Sequence, residues 1–407
     1  MSMSDLSPDR FDQHVVARSH SFFEGDITAN EARIREAVTG KRVLIVGGGG
    51  SIGSATLRAL IRFEPAAVHV IDHSENYLAE LVRDLRSGMD LPANLDLRMW
   101  PIDFGAPVTE RLVNSEDPYD VVMNFAALKH VRSEKDIYSL LQMLDTNVVR
   151  QARFKSWVAA RGGTTRFFGV STDKAANPTS LMGATKRLME DVLFSASPTA
   201  GMNVSSARFA NVLFSNGSLP QAWLRRIELG QPLAAPRGTR RYFVTRAEAG
   251  EICLLASLLG GQDEIIIPRL DPEKELRLLE AIAADVLKLT GFEAVPFEDE
   301  AEARHEVAAL RKQGKWPLLL TPLDTSGEKP YEEFVGADEV SHEIGMESVL
   351  AIRHAKAKIG PDFIDRLDTL VSDTSGKVQK ADIVETIASV IQNFAHIETE
   401  KNLDQRM

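Results

Sequence analysis

The feature that most constrains this chain is a glycine run, Gly47-Gly48-Gly49-Gly50-Ser51-Ile52-Gly53, set between an apolar segment and a helical one. Arg42-Val-Leu-Ile-Val46 is β-branched and continuously apolar, which suits a strand buried on both faces. Ser54 to Arg62 follows with helical spacing. A chain passing from buried strand to helix in so few residues must turn sharply, and glycine adopts the required backbone angles without strain. Such a strand also needs company, because both of its faces must be covered.

The sequence supplies that company. Ala67-Val-His-Val-Ile71, Leu95 to Trp100, Asp120 to Asn124, Arg166 to Val170 and Val204 to Phe209 repeat the apolar run, with helical stretches such as Tyr77–Ser87 and Tyr138–Ala159 between them. This alternation predicts an α/β fold with a Rossmann-like, doubly wound parallel sheet over residues 41–210. Residues 1–40 read as a helical extension, with capping-box spacing at Thr28 to Glu31 and Gly40 as its end. Residues 211–335 read as a smaller α/β region: Glu264–Pro268 and Trp316–Thr321 as strands, Lys274–Thr290 and Glu298–Lys315 as helical. Residues 336–407 read as a mostly helical tail, amphipathic at Ile383–Ile391.

Charge limits the function. Lys+Arg 47 against Asp+Glu 58 gives −11, which disfavours a general nucleic-acid binder and asks for local cations wherever phosphate is bound. The single cysteine, Cys253, lies in an apolar helical pattern and reads as core; it excludes an intrachain disulfide framework and a thiolate cluster. No His/Cys/Asp cluster has metal-ligand spacing, and no catalytic metal is expected. No apolar stretch has the length of a membrane span, and Met1 to Arg18 has no apolar centre, so a cytoplasmic protein is expected.

Gly47, Gly50 and Gly53 have GxxGxxG spacing, as in the short-chain dehydrogenases. Such a loop lets backbone touch a pyrophosphate, while Ser51 and Ile52 open a helix whose free N–H groups favour anions. Asp72 lies 19 residues after Gly53, at a strand end, where its carboxylate accepts adenosine ribose hydroxyls. It repels a 2′-phosphate, and no arginine follows in His73-Ser74-Glu75, so NAD is favoured over NADP. The alternative for Asp72 is a helix N-cap. Ser74, Asp103 with Phe104 after the third strand, and Ala126-Ala127 after the fourth complete the expected cofactor site.

Thr172-Asp173-Lys174 ends a strand at the carboxyl edge of the sheet, where open α/β proteins place ligands. Met182 and Lys186 follow, spaced to share one helix face, with methionine where short-chain dehydrogenases carry tyrosine. The stretch Ser171 to Lys186 resembles the bacterial polysaccharide-biosynthesis branch of that superfamily, the UDP-N-acetylglucosamine 4,6-dehydratases. Ala126–Val131, Arg208–Leu213, Ser215–Ser218, Arg241–Thr245 and Thr325–Lys329 are similar to segments of that family in the same order. The resemblance covers about Lys41 to Phe334 and leaves both ends out.

The resemblance implies NAD-dependent dehydration of a UDP- or GDP-linked N-acetylglucosamine to its 6-deoxy-4-keto form, for surface polysaccharide or glycan synthesis. It makes Lys174 the base at C5, Asp173 the acid for the departing 6-hydroxyl, and Lys186 the partner of the nicotinamide ribose. A lysine base must be neutral part of the time, so burial or a nearby cation such as Lys186 must lower its pKa. Met182 cannot take a proton, which leaves Thr172, Asp173 or a water for the 4-hydroxyl. Within the family methionine goes with retention at C5 and tyrosine with inversion. The resemblance also gives Asn211 and Arg241 to the pyrophosphate, Glu328 to the nucleoside ribose, and Lys129, His130 and Ser218 to the substrate pocket, with a homo-oligomer as the usual assembly. A nucleotide-sugar epimerase and a catalytically silent NAD-bound regulator are the alternatives.

Overall fold

The structure is a computed structural model describing residues 12, 14–129, 134, 136–195, 201–322, 331–355, 359–391 and 394. Helices α1 (Glu24–Ala29) and α2 (Glu31–Val38) precede the first strand. The alternation then runs β1 (Arg42–Val46), α3 (Ser51–Ile61), β2 (Ala67–Ile71), α4 (Glu75–Gly88), β3 (Asp96–Trp100), α5 (Pro107–Ser115), β4 (Val121–Asn124), α6 (Ile137–Leu144), α7 (Arg150–Arg161), β5 (Arg166–Val170), α8 (Leu181–Phe194) and β6 (Asn203–Ala207). Next come β7 (Asn211–Val212), α9 (Leu219–Glu228), β8 (Leu233–Pro236), β9 (Arg240–Val244), α10 (Arg246–Leu259) and β10 (Glu264–Pro268). The chain continues with α11 (Pro272–Glu275), β11 (Leu276–Leu278), α12 (Leu279–Leu289), β12 (Glu293–Phe297), α13 (Glu300–Arg311) and β13 (Lys315–Thr321). It closes with β14 (Ser341–His342), β15 (Val349–Arg353), α14 (Pro361–Ser372) and α15 (Lys380–Ala388).

One nine-stranded sheet organises the molecule, in the order β14-β15-β10-β6-β5-β4-β1-β2-β3. Pairing is parallel from β3 to β10, and β15 runs antiparallel to β10. The doubly wound parallel sheet expected from the alternation is therefore present. Strand order reverses between β1 and β4, the switch point where such sheets open a ligand crevice. The central strands are buried almost throughout, which is why their sequences read as continuous apolar runs.

Beside it lie two three-stranded sheets, β11-β9-β7 and β12-β13-β8. Trp223, Trp316, Ile282 and Val286 form a second core there, joined by Val15 and Val16 from the N-terminal extension. Arg18 fixes that extension through ion pairs with Glu248 at 2.7 Å and Glu275 at 2.6 Å. Cys253 is fully buried, and burial pushes its thiol pKa up.

Three local expectations differ from what is found. The capping box at Thr28 to Glu31 does not form: α1 runs through Thr28, and Asn30 stands at the N-cap of α2 without a side-chain cap bond. The helix expected over Lys274–Thr290 is interrupted, because Leu276–Leu278 pair antiparallel with β9. The C-terminal region adds β14 and β15 to the main sheet before turning helical. Its helices bury Phe363, Leu367, Ile383 and Ile387 against Leu140, Leu144, Leu181 and Leu188. Among the described residues no helix is long and apolar enough to cross a membrane.

Candidate active site

Sterics separate the three glycines of the loop. Gly47 sits at φ +73°, and a Cβ there would lie 2.7 Å from Ala126 N. A Cβ on Gly53 would lie 2.4 Å from Gly47 O. The fold demands both. Gly50 has φ −73°, and its Cβ would meet nothing nearer than 3.3 Å. The fold leaves that position open, at the N-cap of α3, where unbonded N–H groups favour an anion. Ser51 Oγ accepts from Asn216 N at 2.9 Å and so ties the loop to the segment before α9.

Asp72 is buried; Oδ2 accepts from Gly49 N at 3.0 Å and Oδ1 from Ser74 N at 2.9 Å. The N-cap of α4 is Ser74, whose Oγ accepts from Tyr77 N at 3.3 Å, so capping is not the task of Asp72. Asp72, Asp103, Phe104, Gly47, Gly50, Ala126 and Ala127 line one cavity of about 360 Å³. Arg150 lines it too, bridging Asp103 and Asp145. No sequence signal marked Arg150, which reaches the cavity from the first residue of α7.

The second cavity, about 270 Å³, gathers Thr172, Asp173, Lys174, Met182, Lys186, Lys129, Asn211, Ser218 and Ile52. Both cavities share Phe125 and Ala127, so one crevice runs from Asp72 to Asp173. β5 delivers Thr172 in extended backbone, and a short 3₁₀ turn, Asp173–Ala175, presents the next two side chains. Thr172 Oγ1 donates to Asp173 Oδ1 at 2.6 Å, and Lys174 Nζ donates to Asp173 Oδ1 and Oδ2 at 3.3 and 3.2 Å. Asp173 is buried, but the Lys174 side chain is 41% exposed. The buried lysine is Lys186: burial lowers its pKa to about 8, the Glu190 carboxylate opposing, and Nζ donates to Val170 O at 2.8 Å. Of the two routes expected to lower the Lys174 pKa, burial falls on Lys186, and the nearby cation stands in the same cavity. Lys129 also lines the cavity; the residue as a whole is exposed, and partial desolvation of its ammonium lowers its pKa.

Two residues the sequence did not mark hold this side of the crevice. Glu134 accepts from Met182 N at 2.8 Å and Leu181 N at 3.1 Å, fixing the first turn of α8 beside the buried Met182. Asn147 sits in a π-helical turn, Asp145–Val149, of the kind that marks functional sites. It bonds both backbone groups of Leu128 and donates to Thr185 Oγ1 at 3.0 Å, joining the β4 loop to α8. Spacing alone carries no sign of either.

On the substrate side, Ser218 caps α9. Arg208 is fully buried between Glu190 at 2.7 Å and Glu339 at 2.5 Å, committed to an ion-pair network. Burial alone would raise the Glu339 pKa, but the Arg208 bonds and charge outweigh it and bring it to about 2. Asn211 and Arg241 both meet Glu332, again unmarked by sequence. His130 and Glu328 lie outside the described residues.

A profile of the family described as polysaccharide biosynthesis protein matches residues 43–354. The probable polysaccharide biosynthesis protein EpsC of Bacillus subtilis is 28% identical over 335 residues, 75% of this chain. Only 54% of EpsC is covered, so this chain spans about half the length of that relative. The UDP-N-acetylglucosamine 4,6-dehydratase (inverting) of Campylobacter jejuni is 28% identical over 279 residues, 66% of this chain and 77% of the enzyme. Among solved structures, Pen from Bacillus thuringiensis superposes with a TM-score of 0.63 at 23% identity, covering 79% of this chain and 91% of Pen. The Bordetella bronchiseptica enzyme WbmF, in complex with NAD+ and UDP, gives 0.51 at 16% identity, covering 67% and 88%. Both structures share the fold. The family match runs from β1 through β15 and takes in the strands and helices that line both cavities: the chain belongs to the polysaccharide biosynthesis protein family.

Proposed function

We propose that this chain is an NAD-dependent nucleotide-sugar 4,6-dehydratase. In this reading it converts UDP-N-acetylglucosamine, or its GDP counterpart, to the 6-deoxy-4-keto sugar nucleotide with C5 configuration retained. The observation that carries the reading is the Asp173–Lys174 contact at 3.2 Å, inside a crevice continuous with the glycine loop. An epimerase that only oxidises and reduces C4 has no use for an acid–base pair at that point. The Campylobacter relative supplies the reaction class, and WbmF, seen with NAD+ and UDP, supplies the cofactor and nucleotide class.

Bound NAD would supply the hydride acceptor for C4 and the hydride donor for C6. Gly50 and the N-terminus of α3 take the pyrophosphate, Asp72 the adenosine ribose, and Lys186 a hydroxyl of the nicotinamide ribose. With Met182 in the tyrosine position, Thr172 Oγ1 relays the 4-hydroxyl proton along its hydrogen bond to Asp173. That relayed proton makes Asp173 the acid, while Lys174 enters the cycle as the free amine, so each of the two carries one proton at a time. Lys174 then removes the C5 proton, and Asp173 protonates the 6-hydroxyl, which leaves as water. Lys174 returns its proton to the same face of C5, which gives retention. The Campylobacter relative is named as inverting, so this is where Met182 sets the present chain apart.

Incubation with UDP- and GDP-N-acetylglucosamine, followed by mass and NMR analysis of the product, tests the reading. Loss of one water, with C5 configuration kept and deuterium at C5 from D₂O, is expected. A C4 epimer without water loss supports the epimerase instead, and unchanged sugar nucleotides leave a silent NAD-bound protein.

A further inference from the structure

Glu332 is 7% exposed and lies 121 residues from Asn211 in sequence. Its Oε1 accepts from Asn211 Nδ2 at 2.6 Å and from Arg241 Nε at 3.0 Å, while Oε2 accepts from the Tyr242 backbone N at 3.2 Å. A buried carboxylate is costly unless its lone pairs are met, and here three donors from β7 and β9 meet them. Asn211 donates its amide both to Glu332 and to Tyr242 O at 3.2 Å. Its amide nitrogen is therefore committed to the protein, while the residue still lines the cavity. Arg241 is held at Nε by Glu332 and at Nη1 by Arg240 O at 2.9 Å. Burial raises the pKa of Glu332; Arg241 opposes this, and the Asp173 charge adds to it, so the carboxylate lies within electrostatic reach of the reacting pair.

We propose that Glu332 is the positioning residue of the pyrophosphate clamp, locking Arg241 in the orientation that receives the substrate's diphosphate, with Asn211 as its brace. The inference rests on the nucleotide-sugar reading above. An arginine left to its own rotamers must be ordered at each binding event, whereas one already fixed by a carboxylate is not. Glu332 touches no reacting atom in this arrangement. Its effect falls on recognition of the diphosphate and not on turnover.

Calorimetric titration of the NAD-loaded protein with UDP, GDP and uridine tests it, using Glu332→Gln, Glu332→Ala, Arg241→Ala and the Glu332→Gln/Arg241→Ala double variant. Bound NAD and the melting temperature serve as the check that each variant is folded, and Glu332→Gln keeps the shape should Glu332→Ala fail. UDP affinity is expected to fall about tenfold in Glu332→Gln, and in the double variant no further than in Arg241→Ala alone. Uridine binding should not change. KM for the sugar nucleotide should rise in parallel, with kcat within about threefold. Unaltered UDP binding in the Glu332 variants overturns the proposal. So do losses that multiply in the double variant, or a fall in kcat at constant KM. A wild-type protein that binds neither UDP nor GDP overturns the nucleotide-sugar reading, and this inference with it.

Discussion

The two halves of the crevice are built by opposite means. The glycine-loop half is made of backbone: Gly47 and Gly53 are dictated by contacts under 3 Å, and Asp72 is bonded to the loop it follows. The other half is built around charged side chains: Asp173 with Lys174 in the cavity, and Arg241 with Glu332 within electrostatic reach of them, drawn from segments far apart in sequence. Backbone geometry is a local property, and the sequence displays it. A charge cluster is a property of the assembled fold, and its members carry no mark of one another. The reacting pair is an exception only because its two members are adjacent.

If the halves are separable, the largest effect belongs to the Asp173–Lys174 pair. On the proposed function, in which Lys174 is the base at C5, Lys174→Met should slow dehydration by about 10²–10⁴-fold. Bound NAD, measured on the released cofactor, should be unaltered. Loss of NAD together with turnover would show that the two halves do not act independently.

Arg208→Met tests the buried ion pairs that hold α8 to the 331–340 segment. It leaves Glu190 and Glu339 with Arg187, at 4.0 and 2.5 Å, as their remaining arginine, and removing one partner of such a buried network costs up to about 3–5 kcal/mol. Denaturant unfolding should show the loss. Glu190→Gln/Arg208→Met should recover part of it, since the uncompensated charge is then gone. A midpoint equal to wild type would mean that the 331–340 segment is held by something other than this network.

The sheet, its order-reversing crevice, the glycine loop and the Asp173–Lys174 pair were all legible, because each rests on residues close in sequence. Asn147, Glu134, Arg150 and Glu332 were not. Their task is to satisfy or brace backbone and side chains that only the fold brings near. The burial of Lys186 was not legible either, since it follows from the packing of α8. Leu276–Leu278 show the same limit: helical spacing gave way to pairing with β9.

Lys186 gives the comparison a pH dependence. Its folded pKa of about 8 lies below the ordinary lysine value of 10.5, so between those values the unfolded chain holds more protons. Stability of the cofactor-free protein should therefore rise as pH increases from about 8 toward 10.5, by on the order of 3 kcal/mol from this group at most. Below about 8 the penalty of the buried cation is present in full. Lys186→Met should be the more stable protein at pH 7 and should lose its advantage by pH 10. Lys155, buried and likewise lowered to about 8, is common to both proteins and cancels in the difference. Parallel urea midpoints across pH would show that Lys186 is hydrated.

The smallest effect is the most discriminating. Gly50→Ala and Gly53→Ala each add one methyl to the same loop, yet the surroundings differ. At Gly53 the methyl lies 2.4 Å from Gly47 O and 2.8 Å from Gly48 Cα, so the loop itself must shift and both stability and NAD affinity should fall. At Gly50 the backbone angle is open to alanine and the nearest atom is 3.3 Å away, so the cofactor-free protein should melt as the wild type does, or slightly higher. The methyl instead stands where backbone N–H groups would approach a pyrophosphate, and NAD affinity should fall about tenfold. The contrast lies in that split, one glycine required by the fold and the other by the ligand. Wild-type NAD affinity in Gly50→Ala would make the whole loop a folding device, and the distinction between a backbone-built half and a side-chain-built half would lose its functional content.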